Sequence, residues 1–187
     1  MKESETSSLA VAVLPAAPEQ EPVLANLLEL YAHDFSEFFA LQIGADGRYG
    51  YQSLPLYWSE ANRFPFLVRV NGALAGFVLL QQGSQVSDAR DIWDVAEFFV
   101  LRGYRRQGVG LKVAHQLWRM FAGAWEVRVA ARNLVAHSFW QHAISSFTCA
   151  RAEAGLTDVA GQSWRVFSFS SKATAKYNCG NADRAST

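Results

Sequence analysis

Cysteine is scarce in this chain: two occur in 187 residues, Cys149 and Cys179, and their separation is not a metal-ligand spacing. That disfavours both a disulfide-stapled secreted fold and a cysteine zinc site, so the expectation is a reducing, cytoplasmic setting with no metal. Long apolar runs are missing too, since none approaches the ~18–20 residues of a membrane-spanning helix. Leu9 to Leu14, followed by Pro15, Ala16 and Ala17, faintly imitates a signal peptide. Its apolar stretch is shorter than the usual ~7–15 residues, and Glu3 and Glu5 stand where a positive leader belongs, so it reads as a first strand. Charge of one sign is not in excess either. Seventeen basic and seventeen acidic residues give a formal net charge of zero, which argues against broad nucleic-acid binding. The chain shows no internal repeat and no second-domain boundary.

What is present is a globular composition, half hydrophobic and 13% aromatic, sufficient for one domain with a sizeable core. The expected organisation is a flexible start over 1–8, a domain over 9–169 and a polar, disordered tail over 170–187. A helix follows Glu19, with Val23, Leu24, Leu27, Leu28, Leu30 and Tyr31 on its apolar face. A second helical piece is expected from Asp34 to Ala40. Phe64 to Val70 and Ala73 to Gln82 read as a hairpin around Asn71-Gly72. Further on, Trp125 to Ala130 alternates like a half-buried strand and Arg132 to Ser146 has helical spacing. Phe147 to Ala152 and Ser163 to Phe169 are expected as closing strands, joined by a loop over Gly155 to Gly161.

The rest is arranged about Asp94 to Met120. A short apolar run, Val95, Ala96 and Phe98 to Leu101, has strand composition. A basic glycine turn follows it, then Leu111, Ala114, His115, Leu117 and Trp118 at helical spacing. A strand, a glycine turn and a helix N-terminus together form an anion site, because first-turn N–H groups lack partners and the macrodipole is positive there. Gly108 and Gly110 would let an anion approach the backbone, while Arg105 and Arg106 add forked charge. The expected occupant is a diphosphate.

The spacing Arg105-x-x-Gly108-x-Gly110, behind a strand and before an amphipathic helix, resembles the acetyl-CoA motif of the GNAT N-acetyltransferase superfamily. A second segment, Asn133-x-x-Ala136-x-x-Phe139-Trp140, resembles the family's Asn-x-x-Ala-x-x-Phe-Tyr stretch beside the pantetheine arm. The order of elements over roughly 9–169 is similar to the family's throughout. Several phrases, the one around Asp34 among them, also resemble a poorly characterised bacterial branch of predicted acetyltransferases. The resemblance implies an α/β (α+β) fold with a mixed, mostly antiparallel sheet, a splayed central strand pair and flanking helices. It also implies acetyl-CoA as co-substrate and a small-molecule or peptide amine as acceptor, with no nucleic acid and no membrane; a homodimer is left open. The CoA contacts it implies are Arg105, Arg106, Gln107, Gly108, Val109, Gly110 and Asn133, with a Phe99 or Val100 N–H aimed at the thioester oxygen. Where many members place a thiolate-protonating tyrosine, this chain has Trp140, whose indole donates hydrogen bonds but delivers no proton at neutral pH. Core packing is the plainer role for it.

Acetyl transfer to an amine needs a neutral amine, a polarised carbonyl and attack geometry. Glu97, a carboxylate inside an apolar strand, is the candidate base. It either faces the cleft or pairs with a base such as Arg128. Burial would raise its pKa into a useful range. His33, Asp34 and Glu37 form either a helix cap or a polar wall facing the substrate. His115, His137 and His142 read as surface or packing residues.

Overall fold

The computed structural model describes residues 9–171. The expected flexible start (1–8) and residues 172–187 of the expected tail lie outside the described residues, Cys179 among them. The strands are β1 (Val11–Pro15), β2 (Arg63–Val70), β3 (Ala73–Gln82), β4 (Ile92–Val100), β5 (Gly123–Ala130), β6 (Ala154–Val159) and β7 (Gln162–Ser171). The helices are α1 (Glu21–Phe35), the single turn α2 (Leu56–Ser59), α3 (Val109–Met120) and α4 (Leu134–Thr148).

Among the described residues, seven strands form one sheet in the order β1-β2-β3-β4-β5-β7-β6. Only β4 and β5 run parallel; every other neighbouring pair is antiparallel. Period-two alternation gives the central strands two buried faces. In β2, Phe66, Val68 and Val70 pack with α3 and α4, whereas Leu67 between them packs with α1. Helix α3 buries Val109, Val113, Ala114, Leu117 and Trp118, one stripe of a 3.6-residue period. The β2–β3 hairpin turns on Asn71 (φ 50°) and Gly72 (φ 82°), both left-handed, as a two-residue turn between twisted strands requires.

Several boundaries differ from expectation. No second helix forms over Asp34 to Ala40: α1 runs on through Asp34 and stops at Phe35. Ser36 closes it, its N–H donating to the Ala32 carbonyl at 2.8 Å and its hydroxyl to that of His33 at 2.7 Å. Phe35 and Phe39 then stack on each other across the turn, 4.8 Å between centroids, so the phenylalanine spacing records ring packing. Residues 147 and 148 belong to α4, which ends where Cys149 turns left-handed (φ 55°). The closing strand is β6, in the stretch expected as a loop, and the hairpin turn is only Ala160-Gly161, both at positive φ. Strand β7 continues past Phe169 to Ser171, whose hydroxyl accepts from Trp125 Nε1 at 2.8 Å.

Candidate active site

Parallel pairing of β4 with β5 ends at Val95 opposite Val127, although β4 continues to Val100 and β5 to Ala130. Beyond that point the strands splay, and a cavity of about 170 Å³ opens between them. Glu97, Phe98, Arg128, Asn133, Trp140 and Trp164 are among the residues lining it.

A β-bulge sets what β4 shows to this cavity. Leu79 pairs with Glu97 but Leu80 pairs with Val95, so Ala96 is an extra residue on β4. Val95, Phe98 and Val100 therefore join the core under α3 and α4, while Ala96 and Phe99 both join the core under α1. Glu97 shares the α1 side, where the Tyr51 hydroxyl donates to its Oε1 at 3.1 Å. The backbone also corrects one expectation. Leu101 N–H donates to the Ala75 carbonyl at 2.8 Å, and strand alternation turns the Phe99 N–H toward β3 as well. The polar groups of Phe98 and Val100 are the ones that face the gap. The Val100 carbonyl there accepts from Arg105 Nε at 2.7 Å, leaving its N–H as the donor available to a ligand.

Burial pushes the Glu97 carboxyl from its ordinary 4.5 up to about 7, against hydrogen bonds from Tyr31 and Tyr51 and the charge of Arg128. Burial and then the Glu97 charge raise both tyrosines well above their ordinary value, so they stay protonated donors. Tyr57 behind them is pushed up to about 12, first by burial. Arg128 is not the ion-pair partner of Glu97. Its Nε and Nη2 lie 3.3 and 3.2 Å from the two oxygens of Asp94, which is fully buried and also accepts from Gln81 Nε2 at 3.0 Å. The carboxylate that pairs with Arg128 and the one that faces the cavity are thus different residues.

The glycine turn after β4 carries Arg106 and Gly108 at positive φ (60° and 76°), and Gly108 caps α3. Lys112 N–H makes the first helical bond, to Gly108 O at 3.0 Å, so the preceding amides of Val109, Gly110 and Leu111 are open. A Cβ built at Gly108 would meet nothing within 4 Å, and the need for glycine there lies in φ. Gly110 serves otherwise than expected, because a Cβ there would press on the Phe139 ring at 3.1 Å. It is a site of close approach between α3 and α4. The Val109 side chain is buried, and Gln107 Nε2 braces the turn by donating to Gly103 O at 2.7 Å.

Arg105 is exposed, but its guanidinium is held by partners within the protein. Beyond its bond to Val100 O, its Nη2 lies 2.7 Å from Asp34 Oδ2, and its guanidinium sits 5.4 Å above the Phe99 ring. Asp34 Oδ1 takes Arg102 Nη2 at 2.5 Å. Burial acts to raise the Asp34 pKa, but the two guanidinium hydrogen bonds outweigh it and hold the carboxyl below its ordinary value. Arg106 is exposed. Asn133 caps α4, its Oδ1 accepting from Ala136 N–H at 2.9 Å, at the cavity wall. His33 and Glu37 are exposed, and neither they nor Asp34 line the cavity. Trp140 is buried against Phe98, Phe139 and Trp118 and forms one wall. The contributors that sequence reasoning missed are Tyr31, Tyr51, Asp94 and Trp164. Tyr31 looked like one more residue on an apolar helix face, and the partners of the others are distant in sequence.

The pattern described as the acetyltransferase (GNAT) family matches residues 24–144, and no curated protein matches the sequence. Among solved structures, an acetyltransferase from Thermus thermophilus superposes with a TM-score of 0.66 at 11% identity, covering 87% of this chain and 98% of that one. The aminoglycoside acetyltransferase AAC(6')-Ib, solved with coenzyme A, gives 0.65 at 11% identity over 86% and 95%. Arabidopsis thaliana NAA60, solved with a bisubstrate analogue, gives 0.55 at 17% identity over 86% and 98%. At such identities the likeness is one of fold.

Proposed function

The chain belongs to the GNAT acetyltransferase family and is an acetyltransferase, and from that premise we propose that it moves the acetyl group of acetyl-CoA to a primary amine of a small molecule or peptide. Attack is direct, within a ternary complex. The observation that carries this reading is a carboxylate of raised pKa at the cavity opened by two splayed strands, followed in the chain by a helix N-terminus whose glycine cap leaves the first amides open. The open amides of Val109, Gly110 and Leu111 suit the diphosphate, joined by Arg106. Arg105 instead holds the turn to β4 and α1, as a positioning residue.

An alkyl ammonium with a pKa near ~10.4 is almost wholly protonated at neutral pH. Ionised Glu97 takes the proton that must leave, directly or through water. The amine nitrogen then bonds to the carbonyl carbon, while the Val100 N–H stabilises charge on the carbonyl oxygen. The nitrogen gives up its second proton to solvent, and the C–S bond breaks as the charge on oxygen collapses. A thiolate of pKa near ~8.5 leaves without a dedicated acid and is protonated from solvent, which is compatible with tryptophan at 140. The test is calorimetry with CoA, followed by thiol release from acetyl-CoA over an amine panel. CoA binding that survives in a folded Gly108→Trp variant would refute the turn as its site. Binding without thiol release on any amine would indicate a non-catalytic acyl-CoA module.

A further inference from the structure

A continuous stack of aromatic rings crosses the acceptor side of the cavity. Tyr31 stacks on Phe35 (5.2 Å, 22°), Phe35 on Phe39 (4.8 Å, 28°) and Phe39 on Trp164 (5.4 Å, 24°). The Arg128 guanidinium closes the series, 5.6 Å over the Trp164 ring. The stack therefore reaches from α1 to β7 over the mouth of the splay. Three of its rings, Tyr31, Phe35 and Trp164, line the cavity beside Glu97.

From this arrangement we infer that the acceptor is a small arylalkylamine without a carboxylate, its amine at Glu97 and its ring against Phe35 and Trp164. The inference rests on the proposed amine acetylation and names the substrate class for that site. Stacked rings cover one another's faces, so what Phe35 and Trp164 offer a ligand is their edges. Ring edges are the positive part of the aromatic quadrupole, and the partner they favour is the face of another aromatic ring in a T-shaped contact. A bare ammonium is better served by the Glu97 carboxylate. Arg128 is the basic residue lining the cavity, and its fork is already taken by buried Asp94. An acceptor carboxylate would thus meet an arginine already paired with Asp94 and the Glu97 carboxylate, which selects against α-amino acids.

Thiol release from saturating acetyl-CoA, with mass spectrometry of the product, tests this on 2-phenylethylamine, phenylalanine, butylamine and spermidine. The expected kcat/KM for phenylethylamine exceeds that for phenylalanine by about 100-fold or more and that for butylamine by about tenfold or more. In Trp164→Leu the ratio of phenylethylamine to butylamine should shrink; being taken within one preparation, it is insensitive to partial misfolding. Phenylalanine or spermidine acetylated as well as phenylethylamine overturns the acceptor class and leaves amine acetylation standing. An unchanged ratio in Trp164→Leu overturns the ring contact. CoA binding with no thiol release from any amine overturns the proposed function, and this inference with it.

Discussion

The Tyr51 hydroxyl donates to Glu97 Oε1 at 3.1 Å across 46 residues of sequence. It joins the loop after α1 to the bulged central strand, and it ties the ionisation of Glu97 to a neighbour that stays protonated. Replacing Tyr51 with Phe removes a hydrogen bond to the charged form, so the Glu97 pKa should rise further above 7. The acid limb of kcat against pH is expected to move upward, with a several-fold loss at pH 7 recovered near pH 9. An unmoved limb would mean that Glu97 is not the titrating group.

Glu97→Gln should lower kcat at pH 7 by ~10²–10⁴-fold, leave CoA affinity intact, and be partly rescued at high pH, where free amine arrives from solution. Stability should change in the opposite sense. A folded pKa raised from 4.5 to about 7 means that Glu97 favours the fold below 4.5 and loses that contribution as pH climbs through 7. Above pH 7 the buried charge costs up to about 3 kcal/mol relative to low pH. The Gln variant is thus expected to melt higher than the parent at pH 8 and to match it near pH 4. A variant that melts lower at pH 8 would show Glu97 to be held by a stabilising ion pair.

Asp34→Asn releases Arg102 and Arg105 together. Because the Asp34 pKa is depressed, its contribution is present above the ordinary aspartate value near ~3.9 and disappears as pH falls through the folded value. The pairs are substantially exposed, so the loss at neutral pH should not exceed ~3 °C in Tm and should shrink in high salt. The more telling readout is CoA binding, expected to weaken several-fold as the turn loses its anchor to α1. Tighter CoA binding would show instead that Asp34 competes for the arginines.

Gly76→Ala places a Cβ into the Phe99 carbonyl oxygen. Backbone meets backbone there, no rotamer relieves the overlap, and β3 must separate from β4. Destabilisation of at least ~3 kcal/mol is expected in chemical denaturation. Gly108→Ala, where only φ is unfavourable, should cost about 1 kcal/mol.

The parts legible in sequence were those specified by nearby residues. The turn at Asn71-Gly72, the helix starting at Gly108 and the strand containing Glu97 all formed, since glycine conformation and apolar period act locally. Glu97 stood out because one carboxylate interrupts an apolar run. Partnerships over long separations were not legible. Arg128 had two carboxylates within plausible reach, and folding gave it Asp94, 34 residues away in the chain. Arg105 was read as a ligand for phosphate because nothing near it in sequence announces Asp34, 71 residues earlier. The β6 edge was misplaced because Phe147 extends the apolar face of α4 as readily as it would begin a strand.

The extra residue at Ala96 makes side-chain address in β4 a matter of parity. Removing Ala96 would bring Val95 and Glu97 together opposite Leu80 and Leu79, which are themselves neighbours, and so close a regular ladder. Asp94 would keep Gln81 and Arg128, Glu97 would keep its face, and only the local kink and added twist of the bulge would go. A residue lost among Phe98 to Val100, where the ladder is already regular, would instead put one side of the break out of phase with the other. The bulge is therefore a one-residue slack: a codon can be lost there without exchanging the two faces of the strand.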